Sequence, residues 1–329
     1  MSGTSSTSGA SGTSRASERN GFLFCADPLR LSRPDPQFAD ELAAARAAGG
    51  RIALLDHDAL LAGDAAGAVA RVARDSGPYW YRGWMIPSGR YAELEAALAA
   101  RGCALLTGAA GYRRAHELPG WYEEFGGLTP RSVWRALAPG APAPTADELA
   151  GLAAPLGPGP GIVKDFVKSR KHEWFEACYV PELADREQLT AVVGRFVELQ
   201  DTFLAGGVVL RAFEPFVAGG EARVWWVDGE AVLTTAHPDT PNSPGIPNSP
   251  GTSNTSDTPN LPDRVPVPEL PSLRAAVGRL GLRWVTTDLA LREDGVWRVV
   301  EVGDGQVSGL PAGAEAGVLF AALAAAGAR

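Results

Sequence analysis

Short apolar runs alternate with longer segments of helical spacing in the amino-terminal part of the chain. The runs GFLFCAD (21–27), RIALLD (51–56) and CALLT (103–107) predict buried strands. Residues 35–50 and 88–102 carry apolar side chains at helical spacing and end at glycine, which predicts helices that stop there. Strands and helices that alternate at this length are typical of a small parallel sheet.

A change of composition marks the end of this first unit. A passage at 116–137 looks helical and leads into the proline-rich segment 138–148, and proline clusters of this kind mark boundaries. No GxGxxG fingerprint follows the first strand, so a dinucleotide site is not supported. We therefore predict a Rossmann-like domain over 21–137 (α/β class) and a second domain over 138–329 (α+β class).

The second domain shows a different pattern, dominated by hairpins. GIVKDFV (161–167) predicts a strand, a helix is expected near 185–203, and 206–217 is a strongly apolar strand. The segments 221–236 and 284–302 each contain an Asp-Gly pair between alternating apolar residues, which strongly favours a hairpin turn. The last, alanine-rich segment predicts a helix that closes this domain.

Two segments lack the apolar residues that a folded core requires. Residues 1–20 are rich in Ser, Thr and Gly, and residues 237–266 repeat PNSPG. We predict a disordered tail and a disordered loop insertion, respectively. The tail lacks the apolar stretch of a secretory signal, and no apolar run reaches the roughly 18 residues of a spanning helix. We therefore expect a cytoplasmic protein without a membrane segment.

Charge and rare residues narrow the function further. The net charge of −8 argues against general nucleic-acid binding. The three Cys and four His residues are scattered, without the spacing of metal ligands. Lys and Arg total 30, of which only Lys164, Lys168 and Lys171 are lysine, so 27 are arginine. The confinement of lysine to eight residues indicates a local requirement that arginine does not meet.

The second hairpin brings two carboxylates together. With Asp294-Gly295 as a two-residue loop, counting back along both strands pairs Asp288 with Glu301. Directly opposed side chains have Cβ atoms about 4.5–5.5 Å apart, so a divalent cation, a nearby arginine or a raised pKa must compensate. Oxygen donors without His or Cys favour Mg²⁺ with phosphate, and Asp304 is a third acid in the following turn. A bulge that separates the two acids is the alternative.

Other charged residues are candidates on neighbouring strands. Glu221 and Arg223 are two residues apart on a strand and share a face. Arg211 and Glu214 lie at the end of an apolar strand. Arg82 lies at a strand end in YWYRGWM, where ligands of α/β proteins commonly bind, and is a candidate for a substrate carboxylate. Each of these residues could equally be an ordinary surface charge.

Taken in order, these motifs resemble the ATP-grasp superfamily. They are a strand with a lysine, an apolar strand ending near Glu214, EARVWWVDG and TDLAL…DG…VVEV, after a Rossmann-like domain. VKDFVKSRKHEW, VVLRAFEPF and EVGDGQVSGLP resemble its divergent clade named for two arginines and one lysine, which includes a eukaryotic translation-initiation assembly factor. The resemblance covers Gly21 to the carboxyl terminus, apart from the insertion. It implies an ATP-grasp domain of two α+β subdomains.

The resemblance also implies roles for individual residues. ATP would bind between two antiparallel sheets, with two Mg²⁺ ions on its phosphates and with Asp288 and Glu301 as metal ligands. Lys164 would contact the phosphates, and Arg223, with Arg211 close by, would meet the γ-phosphate or a substrate carboxylate. The remaining candidates are Lys168, Arg170 or Lys171 on a loop over the triphosphate or acyl phosphate, Phe213, Glu214 and Phe216 around adenine and ribose, and Glu221 in the nucleotide-binding set.

One departure from the family pattern concerns the metal. Most ATP-grasp enzymes have a metal-ligating Asn where this chain has Gly303, followed by Asp304. Either Asp304 substitutes for it or a second metal is held loosely. A compact ammonium enters a crowded polyphosphate site where a guanidinium needs more room, which explains lysine at 164. Lys168 and Lys171 either share this constraint or are solvated loop charges.

The usual family reaction implies an ATP-dependent, Mg²⁺-dependent ligase. It would phosphorylate a carboxylate and let an amine displace the phosphate, so that an amide or peptide bond forms. An amino acid, a peptide or a protein terminus would fit as substrate. The alternatives are a phosphotransferase that acts on a hydroxyl and a non-catalytic assembly factor that uses ATP as a structural ligand.

Overall fold

Within the residues that the structure describes, three sheets of four strands each form the framework of the protein. The computed structural model describes residues 20–237 and 271–326. The predicted tail and insertion therefore lie outside the described residues, except for Asn20 and His237 at their edges. No helix in the described ranges has the length and apolar content needed to cross a membrane.

The first sheet confirms the predicted parallel arrangement. Its central strand pairs in parallel with the third and fourth strands and antiparallel with the second. The strands are β1 (Gly21–Asp27), β2 (Arg30–Pro34), β3 (Arg51–Leu55) and β4 (Tyr79–Arg82). The helices of this region are α1 (Ala39–Ala47), α2 (His57–Leu61), α3 (Ala65–Ala68), α4 (Ser88–Ala99), α5 (Ala109–His116) and α6 (Leu118–Trp121).

The strand predicted at 103–107 is not a strand. Only Leu105 forms an isolated bridge, beside Tyr79 of β4. The N–H of Cys103 still bonds to the carbonyl of Leu98 in α4, and α5 begins at Ala109. Too few residues remain between the two helices for a ladder to form.

The second sheet is antiparallel in the order β5-β8-β6-β7. Its elements are β5 (Ser132–Ala136), α7 (Ala146–Ala153), β6 (Gly161–Lys164), β7 (Tyr179–Val180), α8 (Arg186–Gln200) and β8 (Gly207–Ala212). β5 lies in the passage 116–137, which was predicted to be helical. Val133 packs toward α8 whereas Trp134 packs on the opposite side, which is the two-residue period of a strand.

The third sheet contains both predicted hairpins, in the order β10-β9-β11-β12. Its elements are β9 (Phe216–Val227), β10 (Glu230–Ala236), α9 (Pro271–Leu280), β11 (Trp284–Arg292) and β12 (Trp297–Asp304), followed by α10 (Ala316–Ala325). The first hairpin turns at Asp228 and Gly229, both at positive φ, as Asp-Gly turns require.

The register of the second hairpin confirms that Asp288 faces Glu301, although the predicted loop was too short. Leu291, rather than Arg292, lies opposite Trp297. A β-bulge between Asp288 and Leu289 then shifts the register back by one residue. The longer loop and the bulge cancel, so the two acids remain directly opposed.

The final helix packs on the first sheet, which differs from the prediction that it closes the second domain. Phe320 of α10 lies 5.3 Å from the ring of Phe22, and Trp80 donates a hydrogen bond to the carbonyl of Leu323 at 3.2 Å. Asn20 donates to the same carbonyl at 3.3 Å. Trp225 and Trp284 of the third sheet belong to this same core. The division of the chain at 137/138 stays a prediction.

Arg82 joins the first sheet to the segment after β12. Its guanidinium is 1% exposed, pairs with Glu41 of α1 at 2.7 Å, and donates to the carbonyls of Gln306 at 3.1 Å and Ser308 at 2.7 Å. These contacts occupy all three guanidinium nitrogens. Arg82 therefore binds protein groups in this structure, and its predicted substrate role stays a prediction.

Asp304 is buried on the face of β12 opposite that of Glu301. The two residues are three apart in a regular stretch of the ladder, so their side chains point to opposite faces. The Oδ1 atom of Asp304 accepts the N–H of Gln306 at 2.9 Å, whereas its Oδ2 has no partner among the described residues. Asp304 therefore points away from Glu301, and its predicted role as a metal ligand stays a prediction. Burial raises the pKa of this carboxyl to about 7.

This raised pKa predicts a specific pH dependence of stability. The folded protein holds the Asp304 proton more tightly than the unfolded chain, so its contribution is full below about pH 4 and is lost as the pH rises to 7. Asp304→Asn, which resembles the protonated form, should flatten this loss, which at about 1.4 kcal/mol per pH unit amounts to roughly 4 kcal/mol at most. Urea unfolding at pH 4.5 and 7.5 measures it, with the exposed Asp40→Asn as control. Parallel pH profiles for wild type and Asp304→Asn would contradict this account.

Candidate functional site

Lys164 and Arg211 point from the second sheet toward the third. Lys164 is the last residue of β6, and Arg211 lies in β8, where it pairs with Ile162. The alternate residues Val163 and Leu210 pack with α8 in a separate core. The two-residue period therefore turns both cations away from that core. Arg211 reaches the third sheet directly, because its Nη1 donates to the carbonyl of Val300 at 2.6 Å.

Lys164 is a buried ammonium with little local compensation. It is 6% exposed, and its Nζ donates one hydrogen bond, to the carbonyl of Val167 at 3.3 Å. Burial lowers its pKa, and the negative charge of Glu301 opposes that shift. An ammonium has three donors, so this side chain retains capacity for an anionic ligand.

Arg211 has the same character. Its Nε donates to Ser132 Oγ at 3.0 Å and its Nη1 to Val300, but its Nη2 is buried without a hydrogen-bond partner among the residues the structure describes. Burial lowers its pKa to about 10, and Glu301 again opposes the shift. A buried donor without an acceptor is costly, and sites of this kind commonly receive a ligand atom.

Asp288 receives a bidentate guanidinium from the adjacent strand β9. Arg223 Nε lies 2.7 Å from Oδ1 and Nη2 lies 2.8 Å from Oδ2. Arg223 Nη1 also donates to the carbonyl of Gly309 at 2.9 Å. Burial opposes ionisation of Asp288, but the hydrogen bonds from Arg223 and His237 outweigh it and lower its pKa to about 2. Of the three compensations expected for the opposed acids, the structure shows the arginine.

His237 is a residue of this site that sequence reasoning missed. Its Nε2 lies 3.3 Å from Asp288 Oδ2, and its Nδ1 lies 3.6 Å from Glu221 Oε2. Linear spacing gave no sign of it, because it is the first residue of the proline-rich insertion predicted at 237–266. Counting back from the Asp228-Gly229 turn would have placed His237 opposite Gly220; the bulge between Ala231 and Leu233 shifts the ladder by one residue, so that Ala236 pairs with Ala222 and the next step brings His237 to Glu221.

The loop after β6 is organised by an aspartate rather than by its lysines. Asp165 is buried; its Oδ1 accepts the N–H of Val167 at 2.7 Å and its Oδ2 the side-chain amide of Gln200 at 2.7 Å. Lys168 and Lys171 are exposed, and their role over a triphosphate stays a prediction. Arg170 is held by Gln200 at 3.1 Å and by Glu173 at 2.8 Å, so it anchors this loop to α8. Its contact with a triphosphate or with the acyl phosphate of a substrate stays a prediction.

The segment between β8 and β9 crosses from the second sheet to the third. Phe213 lies in it, with its ring 5.4 Å from Tyr179. Glu214 is paired with Arg298 at 2.8 and 3.0 Å, so its carboxylate is already bonded to protein. Phe216 begins β9 and is partly buried. The predicted adenine and ribose contacts of these three residues stay predictions.

The donor set suits Mg²⁺ that is shared with a polyphosphate. Asp288 and Glu301 are opposed on adjacent strands, and one or two carboxylates with phosphate oxygens are the usual ligands of Mg²⁺. Within 20–237 and 271–326, no group of three or more His, Cys, Asp or Glu side chains is placed to hold a metal by itself. The residues therefore fit Mg²⁺ bound together with a nucleotide, not a pre-formed metal cage.

Comparison with known proteins identifies the same region. A protein-family model matches residues 155–323. It describes an ATP-grasp domain, family 3 of the clade named for two arginines and one lysine. No curated protein matches the chain.

Solved structures resemble the chain over nearly its whole length. The RimK domain protein ATP-grasp from Sphaerobacter thermophilus DSM 20745 has a TM-score of 0.53 at 16% identity, over 93% of this chain and 98% of that one. D-cycloserine synthetase DcsG has a TM-score of 0.54 at 18% identity, over 93% of this chain and 98% of that one. The ATP-grasp ligase PsnB complexed with minimal precursor has a TM-score of 0.53 at 16% identity, over 94% of this chain and 99% of that one. A further PsnB structure, which has a TM-score of 0.50 at 14% identity, also contains Mg and ADP. At these identities the likeness shows the fold, and it confirms the predicted fold class.

The buried ammonium predicts a conflict between stability and ligand binding. Replacing Lys164 by Met removes an incompletely bonded charge, so the free energy of unfolding without nucleotide should rise by about 1 kcal/mol. Mg-ATP should raise the melting temperature of the wild type, and this increase should disappear in the same variant. Thermal unfolding with and without Mg-ATP measures both effects, and Arg195→Met on the exposed side of α8 should show neither. A less stable Lys164→Met in the absence of nucleotide would contradict this reading.

Proposed function

The chain belongs to family 3 of the ATP-grasp clade named for two arginines and one lysine, and we propose that it is an ATP-dependent ligase. It would join a carboxylate to an amine through an acyl phosphate, with ATP and Mg²⁺ as cofactors. The names of similar structures, a D-cycloserine synthetase and a ligase complexed with minimal precursor, support an amino acid, a peptide or a protein terminus as substrate. A cytoplasmic location and the absence of general nucleic-acid binding go with this proposal.

The observation that carries the proposal is the pair of under-bonded cations opposite two carboxylates. Lys164 Nζ and Arg211 Nη2 come from neighbouring strands of one sheet, both are buried, and both have donors that no described residue accepts. Asp288 and Glu301 are opposed on the other sheet. Cations and hard-metal ligands that converge from two sides match the charges of a metal-bound triphosphate.

Each charged side chain of the site would have its own role in phosphoryl transfer. Lys164 and Arg211 would hold the transferred phosphoryl group and oppose the charge that develops on it. Arg223 holds the carboxylate of Asp288 from β9; its direct contact with the γ-phosphate or a substrate carboxylate is part of the proposal. Mg²⁺, when bound with ATP, would be held by Asp288 and Glu301 and would neutralise phosphate oxygens.

No side-chain nucleophile is required in this chemistry. Cys178, the cysteine that follows the lysine-bearing loop, is fully buried, and burial raises the pKa of its thiol to about 11. A thiol in that state does not act as a nucleophile at neutral pH. The site therefore acts by positioning the reactants and by electrostatics.

Calorimetry of Mg-ATP binding tests the proposal. Lys164→Ala should weaken nucleotide binding at least about tenfold, the scale of one charged contact near 1.4 kcal/mol. Glu301→Ala should remove the dependence on Mg²⁺, and Arg195→Ala should bind like the wild type. Unchanged binding in both site variants would overturn the proposed site.

An acceptor screen then separates the reaction classes. A ligase releases ADP and phosphate only when a carboxylate and an amine are both present. ADP formation with a hydroxyl compound alone would instead show a phosphotransferase. Binding of ATP without turnover, coupled to capture of a protein partner, would show an assembly factor.

A further inference from the structure

We propose that this site binds ATP with a single Mg²⁺ ion, and that the guanidinium of Arg223 occupies the place beside Asp288 that a second cation would take. The inference rests on the ATP site proposed above. Three features of the acidic face carry it: the fork of Arg223 on Asp288, a hydroxyl pair over Gly303, and the orientation of Asp304.

Arg223 occupies one edge of the Asp288 carboxylate completely. Its two contacts, 2.7 Å to Oδ1 and 2.8 Å to Oδ2, form a bidentate pair. The guanidinium is fixed independently by the carbonyl of Gly309 at 2.9 Å and lies 3.3 Å from His237 Nε2. A carboxylate has about four lone-pair directions; the fork takes two of them, and His237 Nε2, 3.3 Å from Oδ2, approaches a third. One ion can reach the direction that remains on Oδ1, whereas a second would have to displace the guanidinium.

A pair of hydroxyls fills the next position on the same face. Thr286 lies opposite Gly303 in the ladder. It is two residues before Asp288 on β11, so the two side chains share a face. Thr286 Oγ1 and Ser308 Oγ are 2.7 Å apart, and Ser308 also donates to the carbonyl of Asp304 at 3.0 Å. A Cβ atom on Gly303 would lie 2.8 Å from Thr286 Oγ1 and 3.0 Å from Ser308 Oγ. A ligating side chain at 303 would have to push these hydroxyls aside, and two neutral hydroxyls bring no charge to hold a second divalent ion.

The third acid of this region does not face the site. Asp304 lies on the opposite face of β12, where it accepts the N–H of Gln306. Of the three predicted metal ligands, Asp288 and Glu301 remain on this face, and Glu301 also faces the positive charges of Lys164 and Arg211. Two carboxylates with phosphate oxygens complete the coordination of one Mg²⁺, whereas a second ion would have to share Glu301 and compete with these two cations for it.

Counting bound Mn²⁺ tests this inference without relying on turnover. Mn²⁺ replaces Mg²⁺ at oxygen sites, and electron paramagnetic resonance measures free Mn²⁺ as it is added to the full chain with one equivalent of AMPPNP; a parallel titration of AMPPNP alone corrects for Mn²⁺ held by unbound nucleotide. We expect the protein–nucleotide complex to hold one Mn²⁺ per chain at saturation. Two Mn²⁺ ions per chain would overturn this inference and leave the ATP site intact. A lack of AMPPNP binding would overturn the proposed function, and the inference with it.

Substitution of Arg223 tests the second half of the inference. Arg223→Gln removes the charge and frees one edge of Asp288, so the nucleotide complex should then hold two Mn²⁺ ions. Arg223→Lys keeps one positive charge and should keep the count at one, while it loses the fork and binds AMPPNP about tenfold more weakly. A count that stays at one in Arg223→Gln would show that the guanidinium does not stand in for a cation. If Arg223→Gln does not fold, the wild-type count alone still decides between one ion and two.

Discussion

Two carboxylates on neighbouring strands set the constraint on which the surrounding structure depends. Asp288 and Glu301 are directly opposed in the ladder of β11 and β12, and like charges in this position repel. Arg223 neutralises the first from β9. Lys164 and Arg211 bring positive charge toward the second from another sheet. The relative position of the two sheets is therefore an electrostatic matter as well as one of apolar packing.

The buried cations of the site lower the stability of the folded protein. Lys164 and Arg211 are buried with fewer hydrogen bonds than they can make, and burial lowers the pKa of both. Stability comes from elsewhere, above all from the aromatic core that the first sheet shares with α10 and with Trp225 and Trp284. Arg82 connects that core to the segment carrying Ser308 and thus helps to fix the loop whose Gly309 carbonyl holds Arg223. A stable scaffold that supports an unsatisfied site is typical of proteins that bind charged ligands.

Much of this arrangement could be predicted from the sequence because it depends on local rules. Strand alternation and Asp-Gly turns are short-range properties, and they led to the opposition of Asp288 and Glu301 even though the loop length was wrong. The bulge at Asp288–Leu289 restored the register, and nothing local in the sequence indicates it.

Features set by long-range packing could not be predicted in the same way. Arg82 meets Glu41 and the segment after β12, and Asp304 turns into the core. The passage with β5 joins a strand more than seventy residues later in the chain, and the place of α10 depends on a partner surface formed by β1 and β4. In each case the residue type was informative, but its partner was decided by tertiary contacts that no spacing reports.

The most direct test of the central claim is a crystal structure of the full chain with Mg²⁺ and AMPPNP. Our account predicts that phosphate oxygens lie within hydrogen-bond distance of both Lys164 Nζ and Arg211 Nη2, between the two antiparallel sheets. A nucleotide bound elsewhere, with these two nitrogens still contacting only protein, would contradict it.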